Sequence, residues 1–179
     1  AIEAANQGAK VDLVLGPTNL DCKHENITIY KIETAEQMYR KVDAIFDAAD
    51  ISIFAAAVSD HTPEFVAENK IKKSDTNLSL SLSKTTDILA VMGEKKRANQ
   101  LVVGFALETE NEIANAQKKL NCKNLDMIVL NSLNNKGAGF QHNTNKITII
   151  DKENNITDYE LKDKSEVAKD IINKIIEIS

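Results

Sequence analysis

Residues 27–57 constrain the fold more than any other stretch, because they hold three patterns in immediate succession. An alternating apolar run at 27–32 reads as a strand, and Thr34 with Gln37 then forms a capping box. Ala35, Met38, Val42, Ile45, Phe46 and Ala49 recur at helical spacing as far as Asp50. The apolar run at 51–57 is too short for a free-standing helix and suits a buried strand. Strand, helix and strand within about 30 residues make a parallel crossover unit, so the chain predicts an α/β fold.

The remaining patterns extend that sheet. AIEAANQGAK reads as the end of a helix, with Gly8 as its stop, followed by a short strand at 10–15 that Gly16-Pro17 breaks. No strand precedes this helix to cover its apolar side, so a strand and its loop are expected upstream, the loop that in such folds cradles phosphate. Further on, NLSLSLS at 77–83 alternates strictly, with Leu78, Leu80 and Leu82 on one side, as in a half-exposed edge or interface strand. Thr86-Asp87 opens a helix carrying Ile88, Leu89, Val91 and Met92, and 101–106 is a second buried strand. Thr109 with Glu112 is a second capping box, opening a helix through Leu120, and 126–131 is a further strand. A hairpin joins 146–150 to 156–161, and Val167, Ile171, Ile172, Ile175 and Ile176 form the stripe of a closing helix. The expectation is one domain over 1–179, incomplete at its amino end. It is a Rossmann-like three-layer αβα fold whose mostly parallel sheet ends in an antiparallel hairpin.

Composition enters as exclusion. A net charge of −5 lacks the broad basic surface of a general nucleic-acid binder. No apolar run approaches the roughly 20 residues of a membrane span. Cys22 and Cys122 have neither zinc nor disulfide-framework spacing, which suits free thiols in a reducing cytoplasm. His24, His61 and His142 are scattered, lack metal spacing and read as surface residues.

Against that acidic background Lys70, Lys72 and Lys73 fall within four residues, just past a turn at Thr62-Pro63. Asp60 precedes that turn, at the end of the strand at 51–57. A carboxylate at the carboxyl end of a strand, followed by a basic loop, suits a metal-bridged polyphosphate. The bland readings are a turn-forming aspartate and a solvated lysine loop. Three strands end in polar or small residues, at Ser59-Asp60, Glu108-Thr109 and Asn131-Ser132, and are expected to converge on one crevice. The Gly- and Asn-rich stretch at 132–145 has the length of a functional loop. Asn131 either bonds a substrate or caps a turn. Neither GxGxxG nor GxxxxGK[ST] occurs.

Five ordered segments carry a more specific resemblance: AAVSDHTPEFVAENKIKK, KTTDILA, VVGFALETEN, KNLDMIVLNSL and GFQHNTNKITII. In that order they resemble phosphopantothenoylcysteine synthetase, also called phosphopantothenate-cysteine ligase, in many bacteria the C-terminal half of a bifunctional coenzyme A biosynthesis protein. The resemblance spans almost the whole chain. It implies a CTP-dependent ligation of 4'-phosphopantothenate and cysteine through an acyl-cytidylate, with Mg²⁺, in a cytoplasmic homodimer. FMN would belong only to a fused decarboxylase domain, and neither nucleic acid nor membrane is implied as a partner.

By position, the resemblance puts backbone groups of Phe54, Ala55 and Ala56 at the nucleotide and Asp60 at the metal and triphosphate. Lys70 matches a phosphate-side lysine, Thr86, Asp87, Ile88 and Leu89 a helix-start segment, and Phe105 a neighbour of the nucleotide. Lys119 and Lys123 would reach the same pocket. Asp60 and Lys70 are the residues implied in catalysis. His61-Thr62 departs from the aromatic or basic pair of many members, and the family's Gly-rich loop and its acyl-cytidylate asparagine do not occur in this sequence. Two alternatives stay open: an oxidoreductase binding a dinucleotide or flavin, and a non-catalytic nucleotide-binding module.

Overall fold

A computed structural model describes residues 1–67, 69–71, 79–132 and 143–179. Lys72, Lys73, Leu78, His142 and most of the 132–145 loop lie outside the described residues. In chain order the elements are α1 (Ile2–Asn6), β1 (Val11–Leu15), β2 (Ile27–Lys31), α2 (Ala35–Phe46), β3 (Ile51–Phe54), β4 (His61–Pro63) and β5 (Leu82–Lys84). They continue with α3 (Ile88–Lys95), β6 (Leu101–Glu108), α4 (Glu112–Cys122) and β7 (Met127–Ser132). Last come β8 (Thr144–Asn145), β9 (Ile147–Asp151), β10 (Ile156–Asp158), β11 (Lys162–Asp163) and α5 (Lys164–Ile178).

Among the described residues the main sheet has the order β10-β9-β7-β6-β3. β3, β6 and β7 are parallel, while β9 runs antiparallel to β7 and forms the expected hairpin with β10. β1 and β2 pair in parallel as a separate ladder. Each face of the main sheet carries its own half of the core. Val102, Ala106, Ile128, Leu130 and Ile150 face α2, α3 and α4 through Phe46, Met92 and Leu120. Val103, Met127, Val129, Ile147 and Ile149 face α5 through Val167, Ile171 and Ile175. This alternation along β6 and β7 is the period-2 pattern of strands covered by helices on both sides, and the three layers match the expected αβα arrangement.

Local chemistry explains the helix boundaries. Thr34 closes its capping box: its hydroxyl accepts from Gln37 N–H, and the Gln37 side chain accepts from Thr34 N–H. Asp87 caps α3 by accepting from Ala90 N–H at 3.0 Å. Gly8 takes φ +94 after α1, a conformation that disfavours any side chain. The second capping box shifts: the cap of α4 falls on Asn111 in the left-handed region at φ 47, and Glu112 turns to accept from the Ser132 hydroxyl.

Other expectations are corrected. The strand expected at 51–57 stops at Phe54, and it is half exposed, with Ile51 at 42% and Ile53 at 40%. Its second edge has no ladder neighbour among the described residues, so one flank is left uncovered. Of the half-exposed strand expected at 77–83 the described residues form β5 from Leu82 onward, and Leu80 and Leu82 are exposed, because among the described residues β4 and β5 pair only with each other. Ile176 also faces outward, since the buried stripe of α5 runs through Val167, Ile171 and Ile175. His24 is only partly exposed, its Nδ1 accepting from Asn26 N–H at 3.1 Å.

At the amino end of the sheet, buried Asp126 accepts from Val102 N–H at 2.8 Å and from Lys96 Nζ at 2.8 Å. Removing the carboxylate leaves a largely buried ammonium and a buried N–H without it. Asp126→Ala is expected to destabilise the chain by about 3–5 kcal/mol, read as a lowered midpoint in urea with an unchanged slope.

Candidate functional site

The parallel strands β3, β6 and β7 point their carboxyl ends the same way, the edge where open α/β sheets bind ligands. β6 and β7 end level, with Glu108 opposite Ser132, whereas β3 ends at Phe54 opposite Gly104. Residues 55–59 leave β3 without regular structure and carry Ala55 and Ala56, both exposed, toward Asp60.

Two hydrogen bonds hold the Asp60 segment in place. Thr85 N–H donates to the Asp60 carbonyl at 3.0 Å, and the Thr85 hydroxyl donates to the Ser59 carbonyl at 2.6 Å. The Asp60 segment is thereby tied to the two residues that precede α3, Thr86 and the cap Asp87. Lys123, just past α4, donates to both Asp87 oxygens, at 2.9 and 2.6 Å. Lys119, one turn earlier, lies 3.8 Å from Glu108 at the end of β6. The structure therefore brings Asp60, Thr86, Asp87, Ile88, Leu89, Lys119 and Lys123 to one side of the sheet.

Electrostatics at Asp87 reflect this arrangement. Partial burial pushes its carboxyl up, but the Lys123 hydrogen bonds, the Ala90 N–H and the Lys123 and Lys119 charges outweigh that effect. The group is held below its ordinary value of 3.8. At the start of α3 the Asp87 side chain takes the Ala90 N–H, and the neighbouring Lys123 is paired with the same carboxylate, so an anion gains that lysine only in competition with Asp87.

Phe105 is placed apart from this group. It packs with the α5-side core, whereas Phe54 packs with the α2–α4 side. Ala55 and Phe105 share a cleft of about 340 Å³ with Ile53, Leu107 and α5. A second, polar concavity of about 540 Å³ includes Thr109, Ser132, Lys146 and Asp158, at the carboxyl ends of β6 and β7. Lys70 is exposed on the chain between β4 and β5. Asn131 Oδ1 accepts from Asn145 Nδ2 at 2.8 Å, a bond to β8 rather than a cap on its own turn. Sequence reading missed Thr85 and Glu108 as partners; Glu108 had a signal as the polar end of an apolar strand, and Thr85 had none.

Among the described residues no group of three or more His, Cys, Asp or Glu side chains could hold a metal ion. One exposed carboxylate at Asp60 fits a cation that arrives with a polyphosphate, since Mg²⁺ keeps most of its ligands from water and phosphate. Nor is any described helix long and apolar enough to cross a membrane.

Fold and edge together define a doubly wound α/β domain with lysines and carboxylates gathered at the carboxyl ends of its strands. The family model for the DNA/pantothenate metabolism flavoprotein C-terminal domain matches residues 1–178, and the chain belongs to that family. It is 52% identical, over 97% of its length and 48% of the relative's, to a cysteine/cysteine sulfinic acid decarboxylase from an unknown prokaryotic organism. It is 41% identical, over 99% of its length and 44% of the relative's, to the coenzyme A biosynthesis bifunctional protein CoaBC of Bacillus subtilis. The chain thus spans about half the length of these curated relatives. A crystal structure of the CoaBC C-terminal domain superposes with a TM-score of 0.79 at 35% identity, covering 96% of this chain and 76% of that one. A mutant of Cab2 in complex with phosphopantothenate-cysteine shares the fold, with a TM-score of 0.66 at 18% identity over 86% of this chain and 53% of that one.

The Asp87–Lys123 pair can be probed in two ways. Because the Asp87 value is depressed in the folded chain, the pair's contribution is fully present above the unfolded value and is lost as pH falls through the folded one. The stability gap between the native chain and Asp87→Asn is expected to be constant above about pH 5 and to narrow as pH falls through 3.8 and below it, measured by urea titration. A Cβ at Gly93 would meet the Lys123 carbonyl oxygen at 1.8 Å. Gly93→Ala must therefore push the end of α4 off α3, and is expected to cost about 1–3 kcal/mol and to loosen the Lys123–Asp87 pair, visible as a Lys123 amine that reacts faster with acylating reagents.

Proposed function

We propose that this chain is the part of a larger protein that joins 4'-phosphopantothenate to cysteine in coenzyme A biosynthesis, using CTP. Membership of the family, the similarity to CoaBC and its C-terminal domain, and the five ordered segments all support the reading. The single observation that carries it in the structure is the Thr85 link, which holds the Asp60 segment against the Asp87–Lys123 pair. The decarboxylase name of one relative belongs to a protein about twice as long, of which this chain matches 48%.

The chemistry requires two anions to meet. A carboxylate oxygen of phosphopantothenate attacks the α-phosphorus of CTP, the bond to the bridging oxygen breaks, and pyrophosphate leaves. The cysteine amine then attacks the acyl carbon, CMP departs, and one proton is lost from nitrogen. Cationic groups must offset the repulsion in the first step. Lys70, Lys119 and Lys123 are the residues we assign to the triphosphate, with backbone groups of Phe54, Ala55 and Ala56 and the Thr86–Leu89 segment around the nucleotide. Phe105, on the other face, would meet it only over the strand ends. Asp60 would hold a Mg²⁺ carried by the triphosphate, which lowers the charge seen by the incoming carboxylate. Leu82 of β5, Leu80 just before it and the apolar residues beyond β4, Phe65 at 79% and Val66 at 84% exposed, fit a surface buried between two copies.

The test is pyrophosphate release by the full-length protein. CTP is expected to outperform ATP, with dependence on both phosphopantothenate and cysteine for product. Asp60→Asn and Lys70→Ala are each expected to lower kcat by about 100-fold or more while leaving the thermal midpoint unchanged. Wild-type rates in either variant would remove that residue from the assignment. Pyrophosphate release indifferent to phosphopantothenate would refute the ligase reading.

A further inference from the structure

We propose that the polar concavity at the carboxyl ends of β6 and β7 is the subsite for the amino-acid co-substrate, with Lys146 receiving the carboxylate of cysteine and Asp158 its ammonium group. The inference rests on the ligase reading and adds to it the place of the third substrate.

The concavity exists because the helix layer ends before the sheet does. Ile128, Leu130 and Ile150 are buried with Ala116 and Leu120 of α4, but Ile156, opposite Ile150 on β10, is 47% exposed. Thr148 pairs with Leu130 on one side and with Asp158 on the other. Thr148, Asp158 and, two residues before Thr148, Lys146 therefore share the α4 face of the sheet. The first turn of α4 supplies Glu112 and Ile113, and Ser132 closes the end of β7. Thr109 also lines the hollow, one step along the chain from Glu108 and its neighbour Lys119. That position suits the second step of the proposed reaction, in which an amine has to reach an acyl group formed on the other side of Glu108.

The charges in the hollow carry the inference. Lys146 is half-buried and shares the concavity with two carboxylates, Glu112 and Asp158, yet among the described residues it forms an ion pair with neither. Hydroxyl groups donate to those carboxylates instead, Ser132 to Glu112 and Thr148 to Asp158. Opposite charges that line one hollow without touching are satisfied together by a ligand that carries both signs, such as an α-amino acid in its zwitterionic form. Two carboxylates against one ammonium disfavour CTP and phosphopantothenate, which are anions. Of the three substrates in the proposed reaction cysteine alone is dipolar. Ile113, 36% exposed, offers its short thiol side chain an apolar neighbour.

Kinetics of the full-length protein test this with cysteine and with cysteamine, which keeps the amine and the thiol but lacks the carboxylate. Lys146→Met is expected to raise KM for cysteine and to lower the preference for cysteine over cysteamine in kcat/KM by about tenfold or more, and Lys146→Arg to keep that preference. Asp158→Asn is expected to raise KM for both amines, since both bring an ammonium group. An unmoved preference in Lys146→Met, or a KM for CTP that rises in step with that for cysteine, would overturn the proposal. Calorimetric titration of the same proteins with cysteine alone reads the subsite without turnover, and Lys146→Met is expected to weaken binding by about tenfold or more. Product formation with binding and preference both indifferent to Lys146 would reject the subsite and leave the ligase reading standing. Cysteine binding that needs Lys146, without any product from the native protein, would reject the ligase reading and leave an amino-acid site.

Discussion

The Asp126 carboxylate is the contact on which the arrangement of the sheet and of α3 depends. Its own N–H donates to the Val102 carbonyl at 2.9 Å, its side chain accepts from Val102 N–H, and its carbonyl accepts from Lys152 N–H at 2.8 Å. One residue thus locks the amino ends of β6 and β7 to the β9–β10 turn. Through Lys96 it also anchors the segment that leaves α3. A buried ion pair need not add net stability, because desolvating both charges offsets most of their attraction. Its consequence here is geometric: with both ends of α3 tied, by Asp126 behind and Asp87 in front, the helix has one place to lie.

That position matters at the opposite edge. Gly93 lets α3 approach the end of α4 closely, and Asn124 donates from Nδ2 to the Gly93 carbonyl at 2.8 Å, its own backbone at φ 51 making the turn. The same turn begins at Lys123, whose ammonium reaches Asp87. Packing at a buried glycine and charge placement at an exposed edge are therefore one structural fact. The lysine and the aspartate are 36 residues apart; the resemblance brings both to one pocket, but nothing in the spacing pairs them with each other.

Legibility in the sequence divides along the same line, between local pattern and distant partner. Period-2 and period-3.6 patterns located most of the elements, and the capping box at Thr34 and the stop at Gly8 were local enough to read directly. Errors arose wherever a distant partner decided. The box at Thr109 gave way because Glu112 found Ser132 across the β6–β7 edge. The strand at 51–57 looked buried because all seven residues are apolar or small, but burial depends on neighbours, and β3 has a ladder partner on one side only. Phe105 and Lys119 were expected at one pocket. Strand parity sends Phe105 to the α5 face and Glu108, with its lysine, to the other, a distinction that becomes visible once the register with β7 is known.

The pairing of the lysines with carboxylates bears on how an acidic chain would hold the triphosphate that the proposed reaction requires. Lys123 is shared between the two oxygens of Asp87, and Lys119 lies near Glu108, so each of these lysines faces a carboxylate in a chain whose overall charge is −5. A single phosphate would gain little there, since taking a lysine means exposing a carboxylate to the same anion. A triphosphate with its divalent cation changes the balance: the cation can lie toward the carboxylates while the phosphate oxygens lie toward the ammonium groups, and no like charges need face each other. Discrimination against bare anions would then come from the carboxylates as much as from the lysines, which would make Asp87, expected at the nucleotide, and Glu108, not expected there, both part of the physics of the proposed site.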